Sequence, residues 1–132
     1  AARIKSRIGS IGYVNQSYIK GDVRAASLEN KSGEFLMPSV EAGAVALNGI
    51  ALDDNLAGTD PNPAAEGAYP IATLTWVLAY RSGNGTDAAV LKDAFNYLLS
   101  DAAQNKASSL GFVPLKGNIL AKSKAAVNMI GQ

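Results

Sequence analysis

The stretch "YPIATLTWVLAYR" at residues 69–81 restricts the fold more than any other part of the chain. From Ile71 to Tyr80 it has no charged residue, no glycine and no proline, and β-branched and aromatic residues dominate it. Apolar side chains fall at both odd and even positions, which suits a strand covered on both faces. The run is far too short to span a bilayer, and Thr73 and Thr75 interrupt it. A chain holding such a strand must supply sheet neighbours and covering layers. The helical pattern that follows points to a mixed α/β fold, with helices laid over sheet.

"SGNG" ends the strand and a long helix is expected next. Thr86 is a good N-cap and Asp87 suits the positive end of a helix. Leu91, Phe95, Leu98 and Ala102 form an apolar stripe, widened by Val90, Ala94 and Leu99. The helix is predicted to run to Leu110-Gly111. An extended link, "FVPL", then leads to a last helix over 121–130. Upstream, Pro38-Ser39 opens a helix whose Val40, Ala44 and Leu47 share one face, with Glu41 in the first turn. Asn48-Gly49 reads as its left-handed stop. Ile11 to Val14 reads as a short buried strand approached through Gly9-Ser10, Asp22 to Leu28 as an extended piece, and "ENKSGE" as turn chemistry. Residues 51–68, acidic and bearing Pro and Gly, read as a long irregular connection. The opening "AARIKSR" reads as the tail of a helix begun elsewhere.

Composition narrows the functions available. The 132 residues suit one domain or part of a larger one, and 48% apolar content with 17% charge is globular. No histidine or cysteine is present. The common zinc sites, thiol nucleophiles and the usual neutral-pH proton shuttle are therefore excluded. A formal net charge of +1 gives no field that would favour nucleic acid. Charge is nonetheless uneven: residues 1–24 hold five Lys or Arg and a single acid, Asp22, while Asp53, Asp54, Asp60 and Glu66 stand without a base in 51–70. Two solvated faces account for this more simply than a basic surface meeting an acidic one.

Each motif with chemical content has a plainer explanation. "RSGNGT" (81–86) is a Gly-rich loop before a helix, an arrangement that anions favour, but it lacks the spacing and the Lys of a P-loop and reads as a strand-to-helix turn. "DDNLAG" (53–58) begins like a calcium loop, yet Ala57 and Ala64 stand where ligands are required. Trp76 and Tyr80, four apart on a strand, share a face and are expected in the core rather than as a stacking platform. Asn15, Asn30 and Asn84 head glycosylation-type triplets. No carboxylate pair is placed for acid–base work, so the expectation is a non-enzymatic protein with no catalytic residue, no metal site and no cofactor.

In combination, "GSIGYV", "YPIATLTWVLAYR" and "LKDAFNYLLSDAAQNKASSLGFVPL" resemble the periplasmic phosphate-binding proteins, the substrate-capturing subunits of phosphate ABC transporters. The order and intervals of these stretches agree with that family across nearly the whole chain. The resemblance implies a type II periplasmic-binding-protein-like fold, with this chain a C-terminal fragment spanning parts of both lobes. Residues 1–68 would end lobe two, with Gly9 and Gly12 a tight approach to one of its buried strands, and 69–132 would return into lobe one. It implies a phosphate-binding role in the periplasm, inorganic phosphate as ligand through the missing N-terminal part, an ABC permease in the inner membrane as partner, and self-association of the isolated fragment. No phosphate-binding residue is carried over. Ser82, Gly83 and Thr86 do not match the family's Arg…Ser-Gly-Thr motif, because Arg81 is adjacent to Ser82 and Asn84-Gly85 intervene. The alternatives are a binding protein for another oxyanion, such as sulfate or molybdate, or an interaction and assembly domain built on the same fold segment.

Overall fold

The computed structural model describes residues 2–132. In chain order its elements are α1 (Ala2–Lys5), β1 (Leu28–Glu29), β2 (Phe35–Leu36), α2 (Val40–Asn48), α3 (Ala88–Leu98), α4 (Asp101–Ala107) and α5 (Gly117–Asn128), with single 3₁₀ turns at Gln16–Tyr18, Gly85–Asp87 and Ser108–Leu110. The architecture is mixed, but helix dominates. The sheet found among the described residues is one antiparallel hairpin, in which Leu28 faces Leu36 and Glu29 faces Phe35. The expected turn chemistry of "ENKSGE" closes it: Gly33 takes a φ of +85°, and its N–H donates to the Asn30 carbonyl at 3.0 Å.

Helix α2 forms as its sequence dictates. Ser39 is extended and its hydroxyl accepts the Ala42 N–H at 3.0 Å, while Glu41 complements the first turn. Its stop differs from expectation, since Gly49 is right-handed with φ −83°. Ala42, Gly43, Ala46 and Leu47 are the buried face. Gly43 is small for a reason: a Cβ there would lie 2.8 Å from a Val113 methyl. The core joins Leu47 and Ile50, at the end of α2, to Ile119 of α5. Leu52, Ala72, Leu74, Val113 and Leu115 pack around them. Helix α5 thus meets α2 on one side and α3 on the other.

Several expectations are corrected. The expected long helix is broken into α3 and α4. Ser100 turns extended, its hydroxyl accepts the Ala103 N–H at 3.3 Å, and Asp101 follows in the new first turn. That Ser-Asp pair is a helix-start signal sitting inside an apolar stripe, and here the cap prevails. Gln104 bridges the break, donating to the Leu98 carbonyl at 2.7 Å and accepting the Leu115 N–H at 2.6 Å. Thr86 lies in the 3₁₀ turn, and the N-cap of α3 is Asp87. The last helix starts at Gly117 rather than 121. The helical run ends at Gly111 (φ +80°), as expected, the "FVPL" link is free of helix and sheet, and the 51–68 connection is irregular as expected.

The two expected strands are not paired. Ile11 to Val14 is irregular and exposed, with Ile11 at 93% and Tyr13 at 98% of full exposure. Residues 72–80 are irregular and belong to no sheet. Ala72 and Leu74 reach the core, whereas Trp76, Val77, Leu78 and Tyr80 are exposed, so Trp76 and Tyr80 are not core residues. A strand pattern specifies alternation and propensity, and partners alone turn it into sheet. The described residues hold no neighbouring strand for this segment.

Candidate functional site

The loop at 81–86 is the best local candidate for an anion. Asn84 uses its amide to donate to the Tyr80 carbonyl at 2.7 Å, and Asp87, at the N-cap of α3, places a carboxylate at the positive helix end. An acidic side chain there already complements the dipole and opposes a bound anion. Arg81 turns away toward α5: its guanidinium lies 2.9 Å from the Met129 sulfur, and its carbonyl accepts the Gly131 N–H at 2.7 Å. The arrangement is a tight turn into α3, but it is not the expected strand-to-helix turn capped by Thr86, since no strand precedes it among the described residues and Asp87 holds the cap position.

The "DDNLAG" loop is organised around its own backbone. Asp53 Oδ1 accepts the N–H groups of Asn55 and Ala57, both at 2.8 Å. This Asx-type turn holds Leu56 at a φ of +62°. The Leu56 carbonyl in turn accepts the Trp76 indole N–H at 2.7 Å, so the tryptophan pins the loop to the 72–80 segment. This contact engages the indole N–H at the ring edge, and Trp76 stays 44% exposed. Among the described residues no group of three or more carboxylates is placed to hold a metal ion.

Two shallow clefts remain. One, of about 390 Å³, is lined by Gln16, Lys20, Arg24, Met37 and Pro38 among others. Two of its polar groups are turned onto the chain: Gln16 donates to the Pro38 carbonyl at 3.2 Å, and the Arg24 guanidinium donates to the carbonyls of Gly21 and Val23. The other, of about 490 Å³, lies between α4 and the start of α5. Its central Gln104 has both ends of its amide engaged, as described above.

The most ordered polar cluster is one the sequence motifs did not single out. Asn30 is buried, at 4% exposure, with both ends of its amide hydrogen-bonded, so the triplet it heads is structural. Glu34 completes the cluster, and its carboxyl is held below the ordinary carboxylate range, first by the Gly67 backbone N–H and then by Asn30 and Ser32. The signal was present as Asn-x-Ser-x-Glu: an Asn opening a turn, with a hydroxyl two residues on, favours a side-chain-closed turn.

The feature that most resembles an interface is the unpaired apolar segment. Residues 72–79 donate no backbone hydrogen bond among the described residues, and Val77, Leu78 and Tyr80 are 67%, 94% and 80% exposed. Exposed, unpaired backbone with apolar side chains of strand-forming type offers itself for pairing. It sits at a strained start, because the β-branched Ile71 takes a φ of +65° while its N–H donates to the Pro61 carbonyl at 2.9 Å.

Comparison with known proteins defines the class this chain resembles, the phosphate-binding proteins. The chain is 27% identical to the phosphate-binding protein PstS of Methanocaldococcus jannaschii, over 98% of its own length and 37% of that protein's. It is 27% identical to PstS of Pasteurella multocida over 88% of its length and 35% of the relative's, and 26% identical to PstS of Haemophilus influenzae over 95% and 38%. The chain thus spans little more than a third of the length of these relatives, consistent with a C-terminal portion of such a protein. No protein-family model matches it. Among the described residues no helix is long and apolar enough to cross a membrane.

Proposed function

We propose that this chain is the C-terminal portion of a phosphate-binding protein that captures phosphate in the periplasm and delivers it to an ABC permease. The observation that carries this reading is the similarity to three PstS proteins along 88–98% of the chain. In the wider protein the fold is of the type II periplasmic-binding kind. Residues 1–68 end one lobe, and 69–132 return into the other. The bare segment 72–80 supports this division, since a strand passing between lobes needs partners from both. The phosphate ligands lie in parts of that protein without counterpart here, and the chain acts by capture and release, without catalysis.

Isothermal titration with inorganic phosphate tests the proposal on two samples. The 132-residue chain is expected to give no saturable heat at micromolar phosphate, and the full-length encoded protein a one-site isotherm. A clear isotherm from the 132-residue chain refutes its standing as a ligand-free portion. A flat titration of the full-length protein refutes phosphate as the ligand.

A further inference from the structure

One cluster of side-chain hydrogen bonds joins the β1–β2 turn to the passage at residues 66–70. Glu34 Oε2 accepts the Gly67 N–H at 2.6 Å and an Asn30 amide N–H at 3.0 Å, and the Ser32 hydroxyl lies 2.9 Å away. Asn30 also donates to the Ala68 carbonyl at 3.2 Å, while its oxygen accepts the N–H groups of Ser32 at 3.1 Å and Glu34 at 2.9 Å. The side chains that close the turn are therefore the ones that hold the passage. Their bonds are interdependent. Turning Asn30 away would strand buried polar atoms, and two of the donors that reach the passage and the turn meet on a single Glu34 oxygen. Immediately downstream, Tyr69 N–H donates to the Ala42 carbonyl at 3.1 Å, and the bare segment begins at residue 72.

We propose that Glu34 is an acid-released latch: its ionised carboxylate fastens the 66–70 passage to the hairpin, and a proton taken from solvent lets the passage separate from it. The physical basis is that donors converging on one oxygen favour the charged form, and protonation removes the charge that draws them. The sign follows from this. Because the folded state holds the carboxyl low, the fastening is complete above the ordinary carboxylate range and is lost as pH falls through the lowered value. The other ionisable groups on the elements meeting here are Glu29 and Lys31 on the hairpin, Glu66 and Tyr69 on the passage, and Glu41 on α2. Among the described residues none of their side chains hydrogen-bonds to Glu34, so the backbone and side-chain donors set its behaviour. The inference is independent of what the wider protein binds.

A pH titration followed by amide NMR tests it on the 132-residue chain. The Gly67 amide proton shift is expected to move with pH, with a midpoint below the ordinary carboxylate range. Glu34→Gln should abolish that titration and speed hydrogen exchange at Gly67 by about tenfold, leaving the α5 amides unchanged. Glu34→Asp, which keeps the charge on a shorter arm, should also speed exchange at Gly67. The proposal fails if Gly67 does not titrate, if its midpoint lies at or above the ordinary carboxylate range, or if Glu34→Gln leaves Gly67 exchange unchanged or speeds Gly67 and α5 alike. Should Glu34→Gln not fold, the titration of the unsubstituted chain decides alone.

Discussion

Replacing Ile119 with alanine removes the side chain through which α5 enters the core. Ile119 is 7% exposed and packs against Leu47 and Ile50, inside a ring that includes Leu74, Val113 and Leu115. The change deletes three buried carbons, a transfer loss of about 2.4 kcal/mol at roughly 0.8 kcal/mol per methylene. The cavity left behind adds to this, because the ring comes from separate segments that cannot all collapse inward, giving about 3 kcal/mol in total. For a chain of this length, with an unfolding entropy of roughly 2 cal/mol/K per residue, that lowers Tm by about 10 °C. The loss is a large share of the few kcal/mol such a domain holds. Far-UV circular dichroism on heating measures it, with Lys124→Ala, an exposed site on the same helix, as control. A shift below about 2 °C for Ile119→Ala would refute the reasoning, since α5 would then not be packed where the stability resides.

Two further outcomes follow from the same structure. The 132-residue chain is expected to self-associate through its bare 72–80 segment, and Leu78→Lys, which puts a charge on that edge, to reduce the association; light scattering showing a monodisperse mass near 13.6 kDa for the unsubstituted chain, with cooperative unfolding, would sink this. Gly58→Ala should destabilise by about 1–3 kcal/mol, because its Cβ would collide with the Ala51 carbonyl oxygen and lie 3.0 Å from Leu52 Cδ2. Gly49→Ala, at a right-handed φ of −83° with only ordinary contacts, should be neutral in the same chemical-denaturation series, and equal losses at both sites would discount the collision.

Local chemistry made several elements legible in the sequence. Ser39 with Glu41, the helix end at Leu110-Gly111 and the turn around Gly33 depend on neighbours within a few residues, and each appears where the sequence places it. The same holds for the irregular 51–68 connection, whose Pro and Gly content opposes helix and strand alike. The absence of histidine and cysteine likewise bounds the chemistry whatever shape the chain takes. The break at Ser100 was legible in kind but lost to a competing signal, because an apolar stripe continues across a capping residue and periodicity alone does not arbitrate between them. Tertiary structure decided the rest. Whether Ile71 to Tyr80 becomes sheet depends on neighbouring backbone, which no local pattern encodes, so a strong strand sequence stays irregular and exposed at Leu78 while Ala72 and Leu74 are drawn into the core. The Asn30–Glu34–Gly67 cluster joins residues more than thirty positions apart, and only the folding of the hairpin against the 66–70 passage brings that carboxylate within reach of its donors.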